Sequence, residues 1–86
     1  MKIMIVDDEA IIREWINYAI DKLPFKDIEV DEAGDGQEAL TKLSAIEYDL
    51  IFIDIQMPSV NGLELLKKME ELPYHPDRKS VVLGKI

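Results

Sequence analysis

The chain has 86 residues, 48% of them hydrophobic and 33% charged, with a formal net charge of -8. That length and apolar content fit one small domain with a core and argue against disorder. The acidity argues against direct contact with nucleic acid, and the lack of cysteine excludes disulfides and thiolate chemistry. Met1 leads straight into Lys2-Ile3-Met4-Ile5-Val6. That run is too short for a secretory signal or a membrane span, so a cytoplasmic location without a membrane partner is expected.

Ile3 to Val6 reads as the first strand, and it ends in Asp7-Asp8-Glu9. Ala10 to Lys22 reads as a helix, with Ile12, Ile16, Ala19 and Leu23 on one face. Asp8 and Glu9 are expected in its first turn, where the helix dipole favours negative charge. That role accounts for one acid better than for three in a row. Trp15 and Tyr18 lie on another flank and read as packing residues.

Leu23-Pro24-Phe25 closes the helix. Ile28-Glu29-Val30-Asp31 alternates apolar and acidic, the pattern of a strand with one wetter face at a sheet edge. Ala33-Gly34-Asp35-Gly36 is a turn, and Asp35 with Glu38 resembles a capping box. The helix that follows runs to about Ala45, with Ala39, Leu40, Leu43 and Ile46 inward. Leu50-Ile51-Phe52-Ile53 is an apolar run suited to a strand buried on both faces. It delivers Asp54 to the strand end, and Pro58 blocks continuation of the ladder. Asn61-Gly62 opens a third helix, with Leu63, Leu66 and Met69, and in places Leu65 or Leu72, as its stripe. Pro73 ends it, Pro76 keeps the next segment extended, and Ser80 to Leu83 is the last strand. Strands alternating with helices imply an α/β fold with a parallel sheet and helices on both faces.

Ligands of open α/β sheets gather at the carboxyl ends of the strands. Two strands end in acids there, Asp7 and Asp8 after the first and Asp54 after the third. If those strands are neighbours, three carboxylates converge. Like charges at that range raise one another's pKa unless a cation lies among them. Hard oxygen donors without histidine or cysteine suit Mg²⁺. A carboxylate beside such an ion can act as a nucleophile toward a phosphoryl group. Acids at strand ends are also common without any metal.

Val6-Asp7-Asp8-Glu9, Ala33-Gly34-Asp35-Gly36-Gln37-Glu38-Ala39-Leu40, and Asp54-Ile55-Gln56-Met57-Pro58 followed by Asn61-Gly62 form a joint pattern. It resembles the receiver domain of bacterial two-component response regulators, densely from Met1 to about Leu72. The resemblance implies a flavodoxin-like (CheY-like) sheet, in the family order 2-1-3-4-5. It implies that Asp54 accepts phosphate from the phosphohistidine of a sensor histidine kinase and switches an output. It implies Mg²⁺ held by Asp8, Asp54 and the backbone carbonyl of Gln56, with Asp7 assisting through water. Many members carry a DNA-binding output domain, so a role in transcription regulation is compatible with it.

After residue 72 the pattern departs from the family. No hydroxyl residue follows Leu83, Ser80 stands at the opposite end of its strand, and Lys85 reads as a solvated terminal lysine rather than a phosphate partner. His75 reads as a loop residue. Residues 1–86 are therefore expected to form one receiver domain of about four strands and three helices, without the family's last helix-strand-helix portion. An uncovered sheet edge is a template for pairing, so a homodimer is expected. Two other readings stand beside the switching receiver. One is a truncated or degenerate receiver serving as a non-switching dimerisation module. The other is an aspartate-nucleophile phosphatase, disfavoured because Gln56 stands where such enzymes carry a second acid.

Overall fold

In the computed structural model, which describes residues 1–54, 62–71 and 81–84, strands and helices alternate along the chain. They are β1 (Lys2–Val6), α1 (Ala10–Asp21), β2 (Glu29–Ala33), α2 (Gly36–Ala45), β3 (Leu50–Asp54), α3 (Gly62–Met69) and β4 (Val81–Gly84). The strands form one parallel sheet in the order β2-β1-β3-β4. This is the flavodoxin-like arrangement that the sequence implies. β1 and β3 are its inner pair, and β2 is the edge strand that its alternating pattern suggests.

β1 contributes to two cores. Met4 and Val6 join Ile51, Ile53, Ala39, Leu43, Leu65 and Met69 on the face covered by α2 and α3. Ile3 and Ile5 pack with Ile20 on the α1 face, where Ile16, Leu50 and Phe52 are partly buried. Both faces of β1 are thus sealed, which explains its unbroken apolar run. β3 differs from the expectation of burial on both faces. Ile51 and Ile53 are buried, whereas Leu50 and Phe52 are half-buried. The reason is topological. α1 is the crossover from β1 to β2, so it lies over that side of the sheet and covers β3 incompletely.

Two apolar stripes fall partly elsewhere than the periodicity suggests. On α1 the inward residues are Ile12, Ile16 and Ile20, spaced four apart, while Ala19 and Leu23 are exposed. Trp15 and Tyr18 are 62% and 66% exposed, so they do not pack in the core. On α3 the buried pair is Leu65 and Met69, and Leu63 faces solvent. Small phase errors arise because Leu and Ala occur on both faces of these short helices. Asp8 and Glu9 also lie before α1 rather than in its first turn, with Glu9 as an N-cap that makes no side-chain cap bond.

The turn into α2 follows the capping logic. The Asp35 carboxylate accepts the Glu38 N–H at 2.7 Å. Glu38 Oε1 in turn accepts the Gly34 N–H at 2.9 Å, one residue upstream of the usual box partner. Lys42 pairs with Glu38 at 3.3 Å one turn on. The Gly34 N–H bond first, and Lys42 second, hold the Glu38 carboxyl below its ordinary pKa. A lowered folded-state pKa stabilises the fold above the ordinary carboxyl range and loses that contribution as pH falls. Asp35→Ala should destabilise the domain by about 1 kcal/mol in urea unfolding. Glu38→Gln should leave the acid end of the stability profile flatter than in the parent chain.

Candidate functional site

The parallel pairing of β1 with β3 sets Val6 opposite Ile53. The next residues, Asp7 and Asp54, therefore emerge side by side at the carboxyl edge of the sheet. Asp8 follows one residue on, and carboxylate oxygens of Asp7, Asp8 and Asp54 all lie within 4.8 Å of one another. The convergence anticipated from the strand ends is thus present. Gln56, also assigned to the metal by resemblance, lies outside the described residues, as do Ser80, Lys85 and His75.

The three acids differ in surroundings. Asp7 is 2% exposed, Asp54 half-buried and Asp8 exposed. Asp7 is fixed by its backbone and its side chain together. Its N–H donates to the Ala33 carbonyl at 3.1 Å, extending the β1–β2 ladder by one bond. Its Oδ1 accepts the Glu9 N–H at 2.9 Å, closing an Asx turn that starts α1. Burial pushes the Asp7 carboxyl above its ordinary pKa, and the charges of Asp54, Asp8 and Glu9 push the same way. The Glu9 N–H bond opposes them. A buried acid repelled by three neighbouring acids is an electrostatic cost that a cation would offset. The donor set consists of carboxylate oxygens at short mutual range, which suits a hard divalent cation that retains water.

Two features of the surroundings are not evident from the motifs. Arg13 ties α1 to the turn after β1 and to β2. Its Nη1 donates to the Asp7 carbonyl at 2.7 Å and its Nε donates to Glu32 Oε1 at 3.0 Å. Its signal in the sequence is only a lone cation one turn after the acids. The second feature is an exposed stripe on α1 of Ile11, Trp15 and Tyr18, with Lys22 Nζ 4.8 Å above the Tyr18 ring. Its residues are spaced four and three apart, a readable helical period that competes with the inward isoleucines.

A doubly wound sheet with an acid cluster at the carboxyl ends of its inner strands defines a class of phosphate- and cation-handling α/β domains. Within that class, the response regulator receiver domain family model matches residues 3–83, and the chain belongs to that family. The transcriptional regulatory protein ResD of Bacillus subtilis is 37% identical over 75 residues, covering 87% of this chain and 30% of ResD. A protein-glutamate methylesterase/protein-glutamine glutaminase of Geobacillus kaustophilus is 36% identical over 80% of this chain and 20% of that protein. The response regulator TrrA of Thermotoga maritima, solved in complex with Mg²⁺-BeF, superposes with a TM-score of 0.73 at 33% identity. That match covers 95% of this chain and 64% of TrrA. The chain thus spans under a third of the length of these curated relatives. No helix among the described residues is long and apolar enough to cross a membrane.

The raised pKa of Asp7 carries a sign. The folded state binds this proton more tightly than the unfolded chain, so stability falls as pH rises from the ordinary carboxyl range through the raised value. Asp7→Asn retains an acceptor for the Glu9 N–H and removes one converging charge. It should raise stability by about 1 kcal/mol at neutral pH, with a smaller gain in acid. Urea unfolding in the two buffers checks both expectations.

Proposed function

We propose that this chain is the phosphoacceptor module of a two-component relay, with Asp54 as the residue that takes the phosphoryl group. The observation that supports it most is the placement of Asp54 at the end of inner strand β3, beside Asp7 and Asp8. In the proposed transfer, an Asp54 carboxylate oxygen attacks phosphorus of a kinase phosphohistidine. The O–P bond forms as the N–P bond breaks, and the histidine leaves as imidazole after taking up a proton. The product is an acyl phosphate.

Asp8 and Asp54 would hold Mg²⁺, with the Gln56 carbonyl as a further donor and Asp7 acting through water. The ion would supply neutralisation of the phosphoryl oxygens during transfer. The Mg²⁺-BeF complex of TrrA supports this choice. The sensor kinase must bring its histidine to the carboxyl edge of the sheet. The exposed Ile11-Trp15-Tyr18 stripe starts one helical position beyond that edge and offers an apolar contact beside it. A switched output, in a parent protein that regulates transcription, is in keeping with the ResD relationship.

Asp54→Asn should abolish labelling by a small acyl phosphate in Mg²⁺, with the cooperative melt retained. Labelling that persists in this variant overturns the assignment. In the parent chain, Mg²⁺ at about ten times its dissociation constant should stabilise the fold by about 1.4 kcal/mol. The rise in melting temperature should shrink in Asp8→Ala.

A second reading, a non-switching dimerisation module, is favoured by the incomplete cover of Leu50 and Phe52 on the α1 face. Light scattering across a concentration series tests it. A dimer mass together with no phosphoryl adduct would replace the first reading by the second. A constant monomer mass would remove the second.

A further inference from the structure

The acid cluster lies where the chain turns between β1 and α1, and one side chain outside the cluster bonds to that turn. Asp7 N–H is held by Ala33 O at 3.1 Å, and Asp7 C=O by Arg13 Nη1 at 2.7 Å. The same guanidinium is anchored on β2 through Nε to Glu32 Oε1 at 3.0 Å. It also lies over the β2–α2 turn, where a Cβ added at Gly34 would stand 3.6 Å from Nη1. The Arg13 side chain is 19% exposed and that of Glu32 40%, so the guanidinium is mostly buried while the ion pair is partly open to water. Its position spares the carboxylates. The contact is with the Asp7 carbonyl, and the influences that raise the Asp7 pKa are burial and neighbouring acids.

We infer that Arg13 is a positioning residue for the acid site. It clamps the Asp7 carbonyl so that Asp7 and Asp8 are presented to Asp54 at a fixed separation. A planar guanidinium can hold a carbonyl and a carboxylate together through separate N–H groups, which a lysine ammonium on a flexible stem does less rigidly. The turn carries like charges that repel, so without the clamp the chain relieves the repulsion by opening the Asx turn. The Asp7 Oδ1 bond to the Glu9 N–H is the part of that turn that would break first, because no strand neighbour supports it. The consequence for cation binding rests on the proposed function. The consequence for the turn does not.

Three variants of the 86-residue chain test this: Arg13→Ala, Arg13→Lys and Glu32→Ala. Without metal, the Glu9 amide should exchange with solvent about tenfold faster in Arg13→Ala, the loss of one charge-assisted bond. The Ile5 amide in β1 serves as the reference for global stability. Glu32→Ala removes the ion pair but leaves the bond to Asp7, so the Glu9 amide should stay protected relative to Ile5. With Mg²⁺, Arg13→Ala should weaken binding about tenfold, as loss of an outer-shell partner does. Arg13→Lys should recover part of both effects. Equal Glu9 protection in Arg13→Ala and the parent chain, referenced to Ile5, overturns the inference. So does a loss in Glu32→Ala, relative to Ile5, as large as that in Arg13→Ala, which assigns the effect to the ion pair with β2 rather than to the bond with the Asp7 carbonyl. Failure of the parent chain to bind Mg²⁺ overturns the proposed function instead, and the metal-free exchange still decides the role of Arg13.

Discussion

Everything at the site depends on the register of β1 against β3. Val6 faces Ile53 across the ladder, so the two strands reach the carboxyl edge of the sheet at the same level and their next residues are both aspartates. Side chains in a strand alternate between faces, and a slip by one residue would exchange the two cores. Met4, Val6, Ile51 and Ile53 share one face, and Ile3, Ile5, Leu50 and Phe52 the other. The apolar residues therefore lock the register, and the register brings the acids together. The repulsion among them is an unfavourable term that the cores on either side outweigh.

The same sheet treats its two faces unequally. Crossovers from β2 to β3 and from β3 to β4 put α2 and α3 on one face, where Leu43, Leu65 and Met69 seal it. Among the described residues, the crossover from β1 to β2 puts α1 on the other, and Ile16 and Ile20 cover β1 more fully than β3. α1 thus meets three demands. Its inner stripe covers β1, its first turn completes the Asp7 hydrogen bonding, and Arg13 ties it to β2. The face left over carries Ile11, Trp15 and Tyr18 into solvent. The solvent side of α1 therefore sets these three apolar residues beside the exposed acids Glu14 and Asp21.

What was legible in the sequence follows from the range of the interactions involved. Strand identity was plain, because Ile3 to Val6 and Leu50 to Ile53 are unbroken apolar runs with acids at their ends. The Asp35 cap was plain too, since its partner Glu38 is three residues away. Helix phase was less so, because the two stripes of α1 compete and only tertiary contact selects Ile20 over Leu23. The half-buried state of Phe52 was illegible, since it depends on which strand a helix happens to cross. Arg13 escaped notice for the same reason. Of its partners, Asp7 stands in the turn just after β1 and Glu32 on β2, and no local spacing brings Glu32 to it.

These two scales meet in the charge balance of the site. The acid trio needs long-range pairing to exist and short-range bonds to keep its shape. A dication would reduce the repulsion from outside, whereas the Glu9 N–H and the Arg13 clamp hold the turn from within. Under the proposed function, the acyl phosphate would add negative charge at Asp54 and so increase the load on that turn. The part of the chain bearing the load is the start of α1, which is continuous with the exposed Ile11-Trp15-Tyr18 face. The charge of Asp54 acts on Asp7 through space, and Asp7 is hydrogen-bonded to the Glu9 N–H just before that helix.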